Sequence, residues 1–237
     1  MVRRDGMGGV ADHDSWIYAA EKDWKKLVGA PAALRASREF MTVAIKQNSL
    51  SLQYASKELR SCRVFVMEAV RLGGEALRYA EPVCRGERAV ILEAVRQSGT
   101  AIRHAYGSSH LDDHDLVKEA VCQDWRALLY VSDGCRRNRD IILEAVRQNG
   151  EALSYASEEF LNDRELVIEA MKSSDGQALR IADPQLKLDP AIICLASKYS
   201  VEIEQSGERA WWPRPQELPR RSPGYQRGWE PAESFEA

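Results

Sequence analysis

Apolar and polar positions recur along this chain with a period of 25 or 26 residues, and each period is marked by one alanine. We number the units 1 to 8 by these alanines, which are Ala19, Ala44, Ala69, Ala94, Ala120, Ala145, Ala170 and Ala196. Relative to each alanine, apolar residues stand at positions −4, −3, 0 and +1, as in Ile141, Ile142, Ala145 and Val146. This spacing predicts a half-buried α-helix at the start of every unit.

The predicted first helices carry recognisable start and stop signals. Position −7 holds an N-cap residue in five units: Ser37, Asp113, Asn138, Asp163 and Asp189. The helices are expected to end at Asn48-Ser49, Gly73-Gly74, Ser98-Gly99, Asn149-Gly150 and Asp175-Gly176. We expect the glycines there to adopt the left-handed conformation that commonly terminates helices.

A shorter second helix is predicted after each stop, on residues such as Leu153, Tyr155 and Ala156. A further apolar column lies in the link to the next unit: Leu34, Leu59, Cys84, Cys135, Phe160 and Leu186. Such short helices need neighbours to bury their apolar faces. The sequence therefore predicts an all-α fold, an α-solenoid of stacked short helix pairs with about seven to eight repeats.

The repeat pattern also divides the chain. Residues 1–11 are predicted to be a disordered N-terminus, 12–204 the helical repeat array, and 205–237 a disordered tail containing Pro, Arg and Trp. The first and last units depart from the pattern and are interpreted as end caps. The repeats predict a monomer, because each unit finds its packing partners within the chain.

Composition narrows the classes of function. The formal net charge of −3 argues against a nucleic-acid partner. The sequence contains no apolar run long enough to cross a bilayer and no secretory signal, so we expect no membrane partner and a cytoplasmic, intracellular location. The five cysteines form no C-x-x-C pair, which agrees with a reducing compartment. Cys84 and Cys135 share the apolar link column and are predicted to be small buried hydrophobes.

The repeat unit resembles a known family. The strings Asp163–Met171 and Ile142–Ser157 are similar to the units of the domain of unknown function family 4116, in which cap, apolar stripe, stop and second helix follow in this order. The resemblance covers nearly everything from Ser37 to Ala182. It implies tandem short-helix repeats, and it brings no activity, cofactor or catalytic residue.

Polar residues at the end of the first helix are the candidate partner-binding site. In a stacked array they would form a ladder able to bind an extended peptide, with Trp24 and Trp125 as aromatic contacts. The candidates are Gln47, Asn48, Gln97, Gln123, Asp124, Trp125, Gln148 and Asn149. The alternative is that these residues simply terminate the helix.

Other polar groups have structural interpretations. A glutamate column at −1 is followed three residues later by arginine or lysine, a spacing typical of solvated pairs within one helix. His110 and His114 have a spacing usable for a metal only on one helix, and a loop followed by a helix capped by Asp113 is the preferred interpretation.

No catalytic, metal or cofactor motif is present in the sequence. We therefore predict a non-enzymatic helical-repeat scaffold that binds a protein or peptide. The alternatives are a structural spacer without a specific ligand and, third, an enzyme or small-ligand-binding protein with a pocket between repeats.

Overall fold

The computed structural model describes residues 13–174 and 176–204, and this part of the chain consists of helices and connecting turns without any strand. The predicted all-α repeat fold is confirmed. The termini predicted to be disordered, 1–11 and 205–237, lie outside the described residues. All three helices of units 1 to 7 lie in the described part, and unit 8 contributes one helix.

Each unit begins with the predicted α-helix, which is ten residues long in units 1 to 7. All five predicted cap side chains accept a backbone N–H of their helix, as Asp163 does from Leu166 at 3.1 Å. The first helices are His13–Lys22, Arg38–Gln47, Arg63–Leu72, Arg88–Gln97, His114–Gln123, Arg139–Gln148, Arg164–Ser173 and Pro190–Glu204.

The second helix is a short 3₁₀ helix rather than an α-helix. With at most six residues it is too short for a stable α-helical segment, and i→i+3 bonds close its turns. These helices are Trp24–Gly29, Ser49–Tyr54, Gly74–Tyr79, Gly99–His104, Trp125–Leu129, Gly150–Tyr155 and Gln177–Arg180.

The link to the next unit is itself helical, so each of units 1 to 7 holds a third short helix in addition to the predicted pair. The apolar link residue anchors this third helix; Cys84 and Cys135 are fully buried, as predicted. The third helices are Ala32–Ala36, Lys57–Ser61, Pro82–Arg85, Ser108–Leu111, Asp133–Arg136, Glu158–Asn162 and Pro184–Lys187.

The units stack like with like. First helices contact the first helices of the neighbouring units, and 3₁₀ helices contact neighbouring 3₁₀ helices. The predicted apolar stripe forms the core; in unit 3, Phe65, Val66, Ala69 and Val70 are fully buried. Each unit thus exposes its first helix on one side of the stack and its 3₁₀ helix on another.

Of the glycines predicted to be left-handed caps, Gly176 has a φ of 79° and confirms the prediction, whereas Gly73, Gly74, Gly99 and Gly150 do not have positive φ and correct it. Among the described glycines only Gly107 and Gly176 have positive φ. A Cβ at Gly99 would lie 2.2 Å from the carbonyl oxygen of Ala120, the marker alanine of the next unit. Glycine is therefore needed because two backbones approach closely, not because of its own dihedral angles.

A backbone ladder completes the stack on the third-helix side. A carbonyl oxygen in the third helix of one unit accepts a hydrogen bond from a backbone N–H just before the third helix of the next unit. An example is the bond from Glu81 N to Arg60 O, at 3.0 Å. Equivalent bonds join all successive pairs from units 1–2 to units 6–7, at 2.8 to 3.2 Å. Backbone groups that short helices leave unpaired are thereby satisfied between units.

Candidate functional site

The predicted site residues lie at the corner between the first helix and the 3₁₀ helix. Asn48, Asp124 and Asn149 end the first helix and also cap the 3₁₀ helix, each accepting the backbone N–H two residues ahead at 2.8 to 2.9 Å. These three side chains therefore have a structural hydrogen bond each, as the helix-termination alternative requires.

Gln148 joins two units. Its amide nitrogen donates to the carbonyls of Val121, at 2.5 Å, and Cys122, and its oxygen accepts the N–H of Trp125 at 3.0 Å. Gln47, Gln97 and Gln123 are exposed at the same position of other units. In the described structure only Gln148 of these four glutamines makes side-chain hydrogen bonds, so binding by the predicted amide ladder stays a prediction.

Ion pairs on the first-helix side run largely between units. Arg71 reaches Glu93 and Arg96 reaches Glu119 of the following unit, at 3.3 and 3.5 Å, instead of pairing within their own helices. The predicted i,i+3 pair does form for Lys172 and Glu169, at 2.8 Å. Stacking places the next glutamate within reach, an effect that spacing along one helix does not reveal.

Sequence reasoning missed a second cross-unit ladder, although its signal is visible as an arginine directly after the N-cap. Arg88 pairs with the cap Asp113 of the next unit at 2.6 Å, and Arg139 with Asp163 at 2.8 Å. The bonds from these arginines hold the pKa of both aspartates below the usual value. Similar pairs join Arg63 to Glu87 and Arg164 to Asp189.

The histidines considered for a metal site lie on different helices. His110 belongs to the third helix of unit 4 and bonds to the carbonyl oxygen of Gly86 at 2.9 Å, whereas His114 begins the first helix of unit 5, capped by Asp113. The predicted cap Asp113 is confirmed, whereas the stretch before it forms a 3₁₀ helix rather than the predicted loop. No group of three potential metal ligands occurs among the described residues.

The 3₁₀-helix side carries a continuous line of ring side chains, which we call the aromatic stripe. It consists of Tyr54, Tyr79, His104, Tyr130 and Tyr155, all half-buried and one from each of units 2 to 6, together with Trp24 and Trp125. Trp24 packs on Tyr54 and Trp125 on Tyr155, with ring centroids 6.0 and 6.1 Å apart. The sequence showed the tyrosine column but gave no reason to separate it from core packing.

Three arginines lie over rings of the aromatic stripe. Arg78 covers Tyr79, Arg126 covers Trp125, and Arg103 covers Tyr130 of the next unit, with guanidinium carbons 5.4 to 5.9 Å from the ring centroids. All three arginines are exposed. Contact with a ring face attracts a guanidinium and restricts its motion, while its N–H groups stay free for further bonds.

Glu75 lies at the centre of the aromatic stripe. Its carboxylate accepts from Arg103 at 2.7 Å and contacts the His104 ring at 3.0 Å. Burial raises the pKa of Glu75, but the bonds from His104 and Arg103 outweigh it and the net pKa is lowered. Burial also lowers the pKa of His104, and this effect outweighs the opposite influence of Glu75.

An open hollow of about 400 Å³ lies beside the stripe between units 6 and 7. It is lined by Glu151, Ser174, Gln177, Ala178, Arg180 and Ile181. This is the kind of space between repeats that the small-ligand alternative requires. No helix in the described part of the chain is both long and apolar enough to cross a membrane.

Comparison with known proteins identifies the repeat. The family model described as Domain of unknown function (DUF4116) matches three tandem stretches, 37–83, 87–136 and 138–187. Each stretch contains two of the units defined here, so one family domain corresponds to a pair of units. No curated protein and no solved structure matches the chain. Since the three stretches together cover more than half of the chain, the protein belongs to the DUF4116 family.

Proposed function

We propose that this protein is a non-enzymatic helical-repeat scaffold that binds a protein or peptide through the aromatic stripe. The observation that carries the proposal is the composition of that surface: one half-buried ring per unit over five successive units, with exposed arginines on three of the rings. Tyrosine, tryptophan and arginine are the residues that most often dominate binding energy at protein interfaces.

The rings are also held firmly enough to serve as anchors. Each tyrosine and tryptophan of the stripe packs against the core, so little side-chain freedom remains to be lost on binding. Of the residues predicted from sequence, Trp125 lies on the stripe, and Asn48, Asp124 and Asn149 lie along its edge. The proposed surface therefore adjoins the predicted one but is centred on the 3₁₀ helices.

We further propose that the scaffold acts as a monomer in a reducing, intracellular compartment. All five cysteines are free thiols, and Cys84 and Cys135 are buried without a sulfur partner. Such usage fits a compartment in which disulfides do not persist.

Selection from a random peptide display library on the full chain tests the proposed function. We expect wild-type protein to enrich peptides that no longer bind the double variant Arg78→Ala/Arg126→Ala. The matched control is Arg71→Ala/Arg96→Ala, which removes the same charge from the first-helix side and should retain binding. Both double variants must show wild-type helical circular dichroism.

The alternatives give different results in the same experiment. A structural spacer would enrich no peptide whose binding depends on the stripe. If the bound peptides were lost in Gln47→Ala/Gln97→Ala but kept in the stripe variant, the site would be the amide ladder predicted from sequence instead.

A further inference from the structure

We infer that the partner segment is an acidic, extended peptide, one of whose carboxylates binds Arg78. This inference rests on the proposed function of the aromatic stripe and names the chemistry of its ligand.

The array already contains one carboxylate that is bound by an arginine of the aromatic stripe. Arg103 of unit 4 lies over a tyrosine ring and receives the carboxylate of Glu75, which stands at position +6 of the preceding unit. Arg78 occupies the position of Arg103 one unit earlier and lies over Tyr79 of its own unit, whereas Arg103 lies over Tyr130 of the next unit. The residue at +6 of its own preceding unit is Leu50, which offers no carboxylate.

Arg78 is therefore a cation without its counterpart. No carboxylate among the described residues lies within ion-pair distance of its guanidinium, and the carboxylate of Glu75, on the same helix, is held by Arg103 and His104. The side chain is exposed and rests 5.5 Å from the centre of the Tyr79 ring. A guanidinium placed in this way presents a planar set of donors that matches a carboxylate.

Arg126 supplies a second cation two units further along. Its side chain is 61% exposed, and its nearest carboxylate, Asp124 at 3.8 Å, is already the cap of the 3₁₀ helix. Packed helices lie about 8–10 Å apart, and an extended chain advances about 3.3 Å per residue, so successive units correspond to roughly every third residue of a peptide. A peptide with acidic residues at three-residue intervals would place carboxylates along the stripe.

The coverage of the rings favours a peptide over single-stranded nucleic acid. Bases bind such surfaces by stacking on open ring faces. Here Arg78 covers a face of Tyr79, Arg103 a face of Tyr130, and Trp125 packs on Tyr155. The exposed groups on these rings include guanidinium N–H donors, which can bind carboxylates.

The decisive variant gives Arg78 a carboxylate partner from within the chain. Leu50→Glu places a carboxylate where Glu75 stands relative to Arg103, so it should occupy Arg78 and compete with the peptide. Leu50→Gln is the matched control, because a glutamine side chain has nearly the same shape as glutamate but carries no charge. Arg78→Gln removes the cation directly.

The binding of fluorescent twelve-residue peptides to the full chain, followed by anisotropy at two salt concentrations, tests the inference. The probes are one with glutamate at every third residue, the same sequence with lysine instead, and a single-stranded oligonucleotide. We expect wild-type protein to bind the glutamate peptide more tightly than the other two probes. The affinity for this peptide should fall about fivefold or more in Leu50→Glu and in Arg78→Gln, and it should be unchanged in Leu50→Gln.

Three results would overturn the inference: equal binding of the lysine peptide, tighter binding of the oligonucleotide, or glutamate-peptide binding that ignores both Arg78→Gln and Leu50→Glu. The proposed function fails separately. If the display selection yields stripe-dependent peptides without acidic residues, the scaffold function stands and only the acidic ligand is refuted.

Discussion

Gly99 gives the sharpest test of how the units are held together. The sequence predicts a glycine there because of a left-handed backbone, whereas the structure explains it by a close contact with the next unit. A Cβ at this position would lie 2.2 Å from Ala120 O and 2.8 Å from Asp124 N of the next unit. Those two atoms form the last hydrogen bond of that unit's first helix, at 3.0 Å. Gly99→Ala therefore strains the contact between units 4 and 5 and the end of a helix together.

The size of the effect follows from the overlap. Non-bonded heavy atoms settle near 3.5 Å, so the neighbouring carbonyl would have to retreat by roughly 1 Å. Overpacking of this kind costs about 1–3 kcal/mol in a well-packed interior. For a chain of this size each kcal/mol lowers the melting temperature by about 2–4 °C.

Urea unfolding of the full chain, followed by circular dichroism, measures this cost. Gly134→Ala is the control, because its added Cβ would meet nothing closer than 3.5 Å and should change stability by no more than about 1 kcal/mol. Gly99→Asn separates the two explanations, since asparagine tolerates a left-handed backbone but carries a larger side chain than alanine. An unchanged midpoint for Gly99→Ala, or an asparagine better tolerated than alanine, would refute the close-contact explanation.

Three further predictions concern single side chains. Asp163→Ala should cost about 1 kcal/mol at neutral pH through loss of the bond from Arg139 and of the helix cap. Because the folded-state pKa of Asp163 is lowered, this stabilisation is present above the unfolded pKa near 3.9 and is lost as pH falls through the folded pKa. Urea unfolding should therefore show a smaller stability difference between wild type and Asp163→Ala at pH 3 than at pH 7. Iodoacetamide followed by mass spectrometry should label exposed Cys122 in the native chain and buried Cys135 only after unfolding. Gln148→Ala should lower stability by about 1–3 kcal/mol, since it leaves backbone groups of the preceding unit unpaired, whereas Gln97→Ala should stay within about 0.5 kcal/mol in thermal unfolding.

The parts of the fold that depend on local chemistry could be predicted from sequence. The cap Asp163 acts within its own helix, and so do the apolar core residues Ile141 and Ile142. Their spacing along the chain is therefore sufficient to predict their roles. The third helix was missed because it has only four or five residues with one apolar anchor such as Cys84, too few to show a periodic pattern.

The contacts between units could not be predicted in this way. Gly99 was assigned to a left-handed cap because a sequence contains no distance to the next backbone, and the same lack hid the pairing of Arg88 with Asp113. The aromatic stripe was missed for a related reason. A column of tyrosines that starts with Tyr54 suggests packing, and only stacked units show that the rings form one surface with arginines on them.

The pairing of the arginines is the reason that we propose a binding surface on the 3₁₀ side. On the first-helix side, arginines such as Arg88 and Arg139 already hold carboxylates of the next unit at 2.6 and 2.8 Å, and a ligand there would have to displace them. On the 3₁₀ side, Arg103 is paired with Glu75, but no carboxylate among the described residues pairs with Arg78. Because the equivalent arginine one unit later already holds a carboxylate, we propose that the guanidinium of Arg78 is where another molecule can bind without breaking a contact between units.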